Sequence, residues 1–144
     1  MHRFAARVPV TRVLVVLLVA VVAMVGCNNN PIVTNPTVVG LPVTDSFSGT
    51  LSKNGAFTHA FSISTVGSIT AAIVALAPNS AQIVGLQLGV WNGTSCTASS
   101  STDVATTGSS ITLNASGAGI VCVRLYDVGY IGEPVLYQLQ VVHP

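Results

Sequence analysis

Few side chains in this sequence can do acid–base, nucleophilic or metal chemistry, and they are easily named. Beyond residue 26 there are two histidines, His59 and His143, and four acids, Asp45, Asp103, Asp127 and Glu133. Catalysis requires such groups to converge. Neither a Gly-x-Ser-x-Gly elbow nor a His-Glu-x-x-His helix is present. His59 alternates with Phe57 and Phe61, the setting of a hydrogen-bonded structural histidine rather than of a base. His143 is penultimate and is expected to fray. A Ser-His-acid set would have to be built around one buried histidine, so the sequence does not describe an enzyme and calls for no cofactor. Metal chemistry fares no better. Zinc needs clustered Cys and His ligands, and Cys96 and Cys122 have no histidine at useful spacing. Calcium needs several oxygens in one loop. Asp127 and Glu133 only flank the 126–134 connection, and Asp103 lies elsewhere, so no metal site is expected.

The cysteines carry a different chemistry. Residues 1–26 hold three arginines (Arg3, Arg7, Arg12) and no acid, and then an apolar run of about 14 residues from Val13 to Gly26. A membrane-spanning helix needs about 20 apolar residues, so this length suits a signal peptide instead. The run ends in Met24-Val25-Gly26-Cys27. A small residue directly before a cysteine, just after the apolar run, resembles the bacterial lipobox. The resemblance implies a diacylglycerol thioether on Cys27, cleavage after Gly26 and acylation of the new N-terminus. One acyl chain binds a membrane marginally, whereas several hold it firmly. Asn28 after the cysteine implies, for a Gram-negative host, delivery to the outer membrane. With Cys27 assigned to lipid, Cys96 and Cys122 form an even pair in an oxidising compartment, where a disulfide is expected. Two buried free thiols are the alternative. Residues 27–44, with Asn28-Asn29-Asn30, Pro31, Pro36 and Pro42, read as an extended, uncharged tether.

Once the leader is removed, Lys53 and Arg124 stand against the four acids, a formal charge of −2. Nucleic-acid binding demands a basic footprint, so it is excluded as a function. Abundant β-branched residues with low net charge also argue against disorder. The side chain of most interest for binding is Trp91, the single tryptophan, just before an Asn92-Gly93 turn. Exposed, it would stack on a sugar ring, with Tyr126 or Tyr130 beside it in a cleft. Covered, it would pack against a Cys96–Cys122 bridge. The sequons Asn92-Gly93-Thr94 and Asn114-Ala115-Ser116 are read as turn residues.

The elements that must position these residues are strands. Beyond Cys27 no stretch shows helical periodicity with caps, and short β-rich runs alternate with Gly, Ser, Asn and Pro. The runs are 46–51, 57–63, 69–76 (apolar on both faces, hence central or bulged), 84–91, 103–106, 111–113, 120–126 and 135–142. An Asn54-Gly55 turn follows the first. Leu86, Leu88 and Val90 are assigned to the core, as are Tyr137, Leu139 and Val141. About eight strands without crossover helices predict an antiparallel β-sandwich over 45–144.

Two stretches carry a family resemblance. One is Phe47-Ser48-Gly49-Thr50-Leu51 with Ala60-Phe61-Ser62-Ile63 and Gly67-Ser68-Ile69-Thr70-Ala71. The other is Gly119 to Asp127 with Tyr137-Gln138-Leu139-Gln140-Val141. Together they resemble the bacterial pre-peptidase C-terminal domain. The resemblance implies a jelly-roll-like sandwich without catalysis of its own, usually appended to secreted enzymes and similar in shape to carbohydrate-binding modules. Here no protease accompanies it. The expectation is an envelope lipoprotein carrying a non-catalytic binding or accessory module, with an envelope protein or a polysaccharide as partner.

Overall fold

The computed structural model describes residues 40–144; the leader 1–26, Cys27 and the tether as far as residue 39 lie outside the described residues. Eight strands follow in order: β1 (Val43–Leu51), β2 (Ala56–Ile63), β3 (Gly67–Ala77), β4 (Val84–Trp91), β5 (Cys96–Ala105), β6 (Ser110–Ala115), β7 (Gly119–Tyr126) and β8 (Val135–His143). They form two four-stranded antiparallel sheets, β1-β8-β3-β6 and β2-β7-β4-β5. Only β4 and β5 are joined as a hairpin within one sheet; every other connection crosses between sheets. This is the double Greek key of a jelly roll.

Alternation on facing strands explains the core. Tyr137, Leu139 and Val141 of β8 point inward, and Leu136, Gln138 and Gln140 point outward. They meet Leu86 and Leu88 of β4 and Val121, Val123 and Leu125 of β7 across the sandwich. β3 is both central and bulged: its register against β8 slips between Ile73 and Ala75, which turns Val74 out to solvent. The turn after β1 uses Asn54 at φ 55°, the left-handed conformation asparagine tolerates.

Five assignments made from pattern change. β1 begins at Val43 rather than at 46, because Val43 to Asp45 pair with His143 to Val141; part of the expected tether is therefore strand. The same pairing holds His143, which is 4% exposed rather than frayed. Its Nε2 lies 3.2 Å from the Asp45 carboxylate, and its ring packs 5.1 Å from that of Phe61. Val90 is 53% exposed, at the open end of the sandwich beside Ile63 and Leu113. Phe57, on the edge strand β2, is likewise partly exposed. Asn114 sits in β6, paired with Ser68, and not in a turn.

His59 is structural. It is half-buried between the sheets, stacked on Phe47 at 4.6 Å and hydrogen-bonded to the Tyr137 hydroxyl at 2.9 Å. Burial lowers its pKa below the ordinary imidazole value, favouring the neutral ring.

Candidate functional site

The outward face of the β2-β7-β4-β5 sheet gathers most of the remaining chemistry, and the sequence of β4 dictates how. Its core-facing residues are Val84, Leu86 and Leu88, so Gly85, Gln87, Gly89 and Trp91 face outward. Two of these four are glycines, and something crosses the strand at each. Tyr126 of β7 pairs with Gly85, and its ring occupies the space where a side chain at residue 85 would stand. From there its hydroxyl donates a short hydrogen bond to the Asp103 carboxylate on β5. Cys122 of β7 pairs with Gly89 and reaches Cys96 on β5 to form the disulfide, with Cα atoms 5.8 Å apart. Here β5 itself leans over β4, and the Thr97 carbonyl fills the place of a side chain at Gly89. Between the two straps, Gln87 Nε2 donates to the Cys96 carbonyl at 2.9 Å.

β5 accommodates both straps by bulging. Its register against β4 shifts between Val84 and Leu86, beside Asp103, and again between Leu88 and Gly89. A Ser- and Thr-rich edge strand with two bulges has no alternation to read, which is why only its last residues were expected as strand.

The expected disulfide is thus present, on the outward face of one sheet rather than in the core between sheets. Cys122 is fully buried under the overlying β5, and Cys96 is half-buried. Trp91 stands opposite Cys96 in the register and is partly exposed, so it is neither sealed in the core nor free in solvent. It borders two grooves. One, at the sandwich end, is lined by Val90, Leu113, Ile120 and small residues of the 115–119 turn. The other, about 450 Å³, lies between Trp91, Arg124, Thr58, Thr94, Ser95 and Cys96.

Tyr126 and Tyr130 line neither groove. Tyr126 is committed to its strap: burial, then the hydrogen bond and negative charge of Asp103, push its phenol up to about 12, against the opposing pull of Arg124. Tyr130 projects from the β7–β8 loop, 65% exposed, and its carbonyl accepts from Gln82. The residue that does join Trp91 is Arg124. Its guanidinium carbon lies 5.1 Å from the centre of the Tyr126 ring, and it has no carboxylate partner among the described residues. A signal for it is present in the sequence, as one of two Lys or Arg residues beyond residue 26, held mid-strand between Val123 and Leu125.

Asp127 has a separate duty. Its Oδ1 accepts from the backbone N–H groups of Gly129, Tyr130 and Ile131, and its Oδ2 from Asn54, fastening the β7–β8 loop to the β1–β2 turn. Partial burial would raise its pKa, but the four donors outweigh that and hold the carboxyl below its usual range. Because the folded value is the lower one, this stabilisation is complete above the ordinary carboxylate pKa of about 4 and disappears as pH falls through the folded value. Asp127→Ala is expected to cost about 1 kcal/mol at neutral pH, and the difference from the parent should vanish toward pH 2 in urea melts at several pH values. Among the described residues no three of His, Cys, Asp and Glu gather as metal ligands would. No protein-family model and no curated protein matches the chain.

Proposed function

We propose that this chain is a bacterial envelope lipoprotein, anchored through acylated Cys27, whose jelly roll is a non-catalytic binding or accessory module. The observation that carries the reading is the outward face of the β2-β7-β4-β5 sheet. There Trp91, an unpaired Arg124 and the hydroxyls of Thr58, Thr94 and Ser95 share one groove. Both histidines and three of the four acids are meanwhile engaged in holding the fold: His59 by Tyr137, His143 and Asp45 by each other, Asp103 by Tyr126, and Asp127 by four backbone donors. The resemblance to pre-peptidase C-terminal domains, which are non-catalytic appendages, points the same way.

A second reading makes the ligand a polysaccharide of the capsule, the wall or the surroundings. It is favoured by a partly exposed tryptophan in a hydroxyl-lined groove, since an aromatic face stacks on a sugar ring while hydroxyls serve its polar rim. The lipoprotein assignment is tested by mass spectrometry of the N-terminal peptide from envelope fractions. The expected species begins at Cys27 and carries diacylglycerol and an amide-linked acyl chain; an unmodified Cys27 in a longer peptide contradicts the anchor. The binding assignment is tested by retention of envelope components on the immobilised full chain, which Trp91→Ala should abolish.

A further inference from the structure

We propose that the groove between Trp91 and Arg124 binds acidic polysaccharide, with one sugar unit of the polymer against Trp91 and the carboxylate of a uronate unit on the Arg124 guanidinium. The inference rests on the binding-face reading above and names its ligand class.

The domain is net acidic, so the complementarity is local to one cation in the groove, Arg124. The mature chain carries only two cations, Lys53 in the β1–β2 turn and Arg124 mid-strand in β7. A guanidinium is always charged and presents five N–H donors in a planar fork that matches a carboxylate. Opposite charges on neighbouring strands attract where they can reach one another. Here the nearby acid, Asp103, is taken by the Tyr126 hydroxyl, and the Tyr126 ring supports Arg124 from its face. Among the described residues the only ion pair is that of His143 with Asp45, on the other side of the fold. Arg124 is therefore positioned by cation–π contact while its donors stay available for a ligand.

The rest of the groove selects a sugar over other anions. Trp91 supplies an aromatic surface, and Thr58, Thr94 and Ser95 supply neutral hydroxyls. Thr94 is fixed by Asn92, whose Oδ1 accepts from the Thr94 and Ser95 amides and from the Thr94 hydroxyl. A phosphate site would gather several donors or cations around one point, whereas this groove combines one cation with an aromatic ring and three hydroxyl side chains. Its volume of about 450 Å³ suits a segment of one or two sugar rings.

The test compares polygalacturonate with its fully methyl-esterified form, and with dextran as a neutral glucan, by calorimetric titration of the full chain in detergent. Esterification alters the ligand and leaves the protein untouched. The acid form is expected to bind at least about tenfold more tightly than the ester, with the advantage shrinking as salt is raised. Arg124→Gln should erase that advantage while keeping the thermal melt close to the parent's, and Trp91→Ala should weaken both forms. Equal affinity for acid and ester overturns the proposal but leaves the binding face standing. Polyglutamate bound as tightly as polygalacturonate overturns the assignment to a sugar. If no polymer binds, dextran included, the polysaccharide reading beneath the proposal falls as well.

Discussion

Replacing Gly89 by alanine is expected to cost about 3 kcal/mol of folding free energy, although the added group is one methyl on a strand. The cause is that the methyl would collide with backbone rather than with a movable side chain. The Thr97 carbonyl and the Ala98 Cα lie across Gly89, because β5 bulges and leans over β4 there. Moving them disturbs the Gln87 to Cys96 hydrogen bond and the strand that carries one end of the disulfide. Gly117 makes the control: a Cβ there meets nothing within 4 Å, and Gly117→Ala should be close to neutral. Chemical denaturation of the two variants decides the matter, and equal stabilities would contradict the account of β4. Gly85→Ala tests the companion strap and should cost less, because the obstacle there is the partly exposed Tyr126 ring, which can swing aside.

Loss of the Cys96–Cys122 bridge is the second large effect. The bridge closes a loop of sequence separation 26, and the chain-entropy relation assigns such a crosslink about 3.5 kcal/mol. A domain of this size is held by only about 5–15 kcal/mol in total, so the loss is a large fraction of its stability. Cys96→Ser/Cys122→Ser should lower the urea midpoint, and reducing the parent chain should lower it by a similar amount. Gly89→Ala and bridge removal act on the same crossing of β4. Their combined cost should therefore fall short of the sum, as neighbours in contact do not add. A strictly additive result would mean that the bridge and the close approach of β5 at Gly89 are independent.

How much of this was legible varies strand by strand, for physical reasons. β4 and β8 were read almost to the residue, since both alternate between a packed core and an outer face. β5 was nearly invisible, because an edge strand of Ser, Thr and Ala with two bulges presents neither apolar alternation nor constant register. The pairing of Cys96 with Cys122 followed from counting and compartment, but its place outside the core did not. That location depends on glycines at alternate positions of β4, which read locally as weak strand residues and make sense only once something crosses them.

The site divides in the same way. Trp91 stood out by its rarity, and its half-exposed position lies between the two environments the sequence allowed. Tyr126 and Tyr130 are expected beside it in a cleft, whereas pairing carries Tyr126 to Gly85 and the loop carries Tyr130 into solvent. Nothing local singles out Arg124, since a single charge in a strand usually marks a solvated face. Its significance comes from Tyr126 taking Asp103 out of reach, a relation set by three strands at once. His143 became a buried partner of Asp45 through the β1–β8 register, which no local pattern announces.

The central claim is that the open face of the β2-β7-β4-β5 sheet binds a ligand at Trp91. Since Trp91 is the only tryptophan, the tryptophan emission of the full chain reports on the surroundings of Trp91 and the two grooves it borders. The decisive measurement is that emission, recorded while polysaccharide is titrated in. The account predicts an intermediate emission maximum for the free protein and a saturable blue shift on binding, which Arg124→Gln moves to higher concentration for acidic polymers. An emission already fully blue-shifted and unmoved by every polymer would place Trp91 in a sealed environment and contradict the claim.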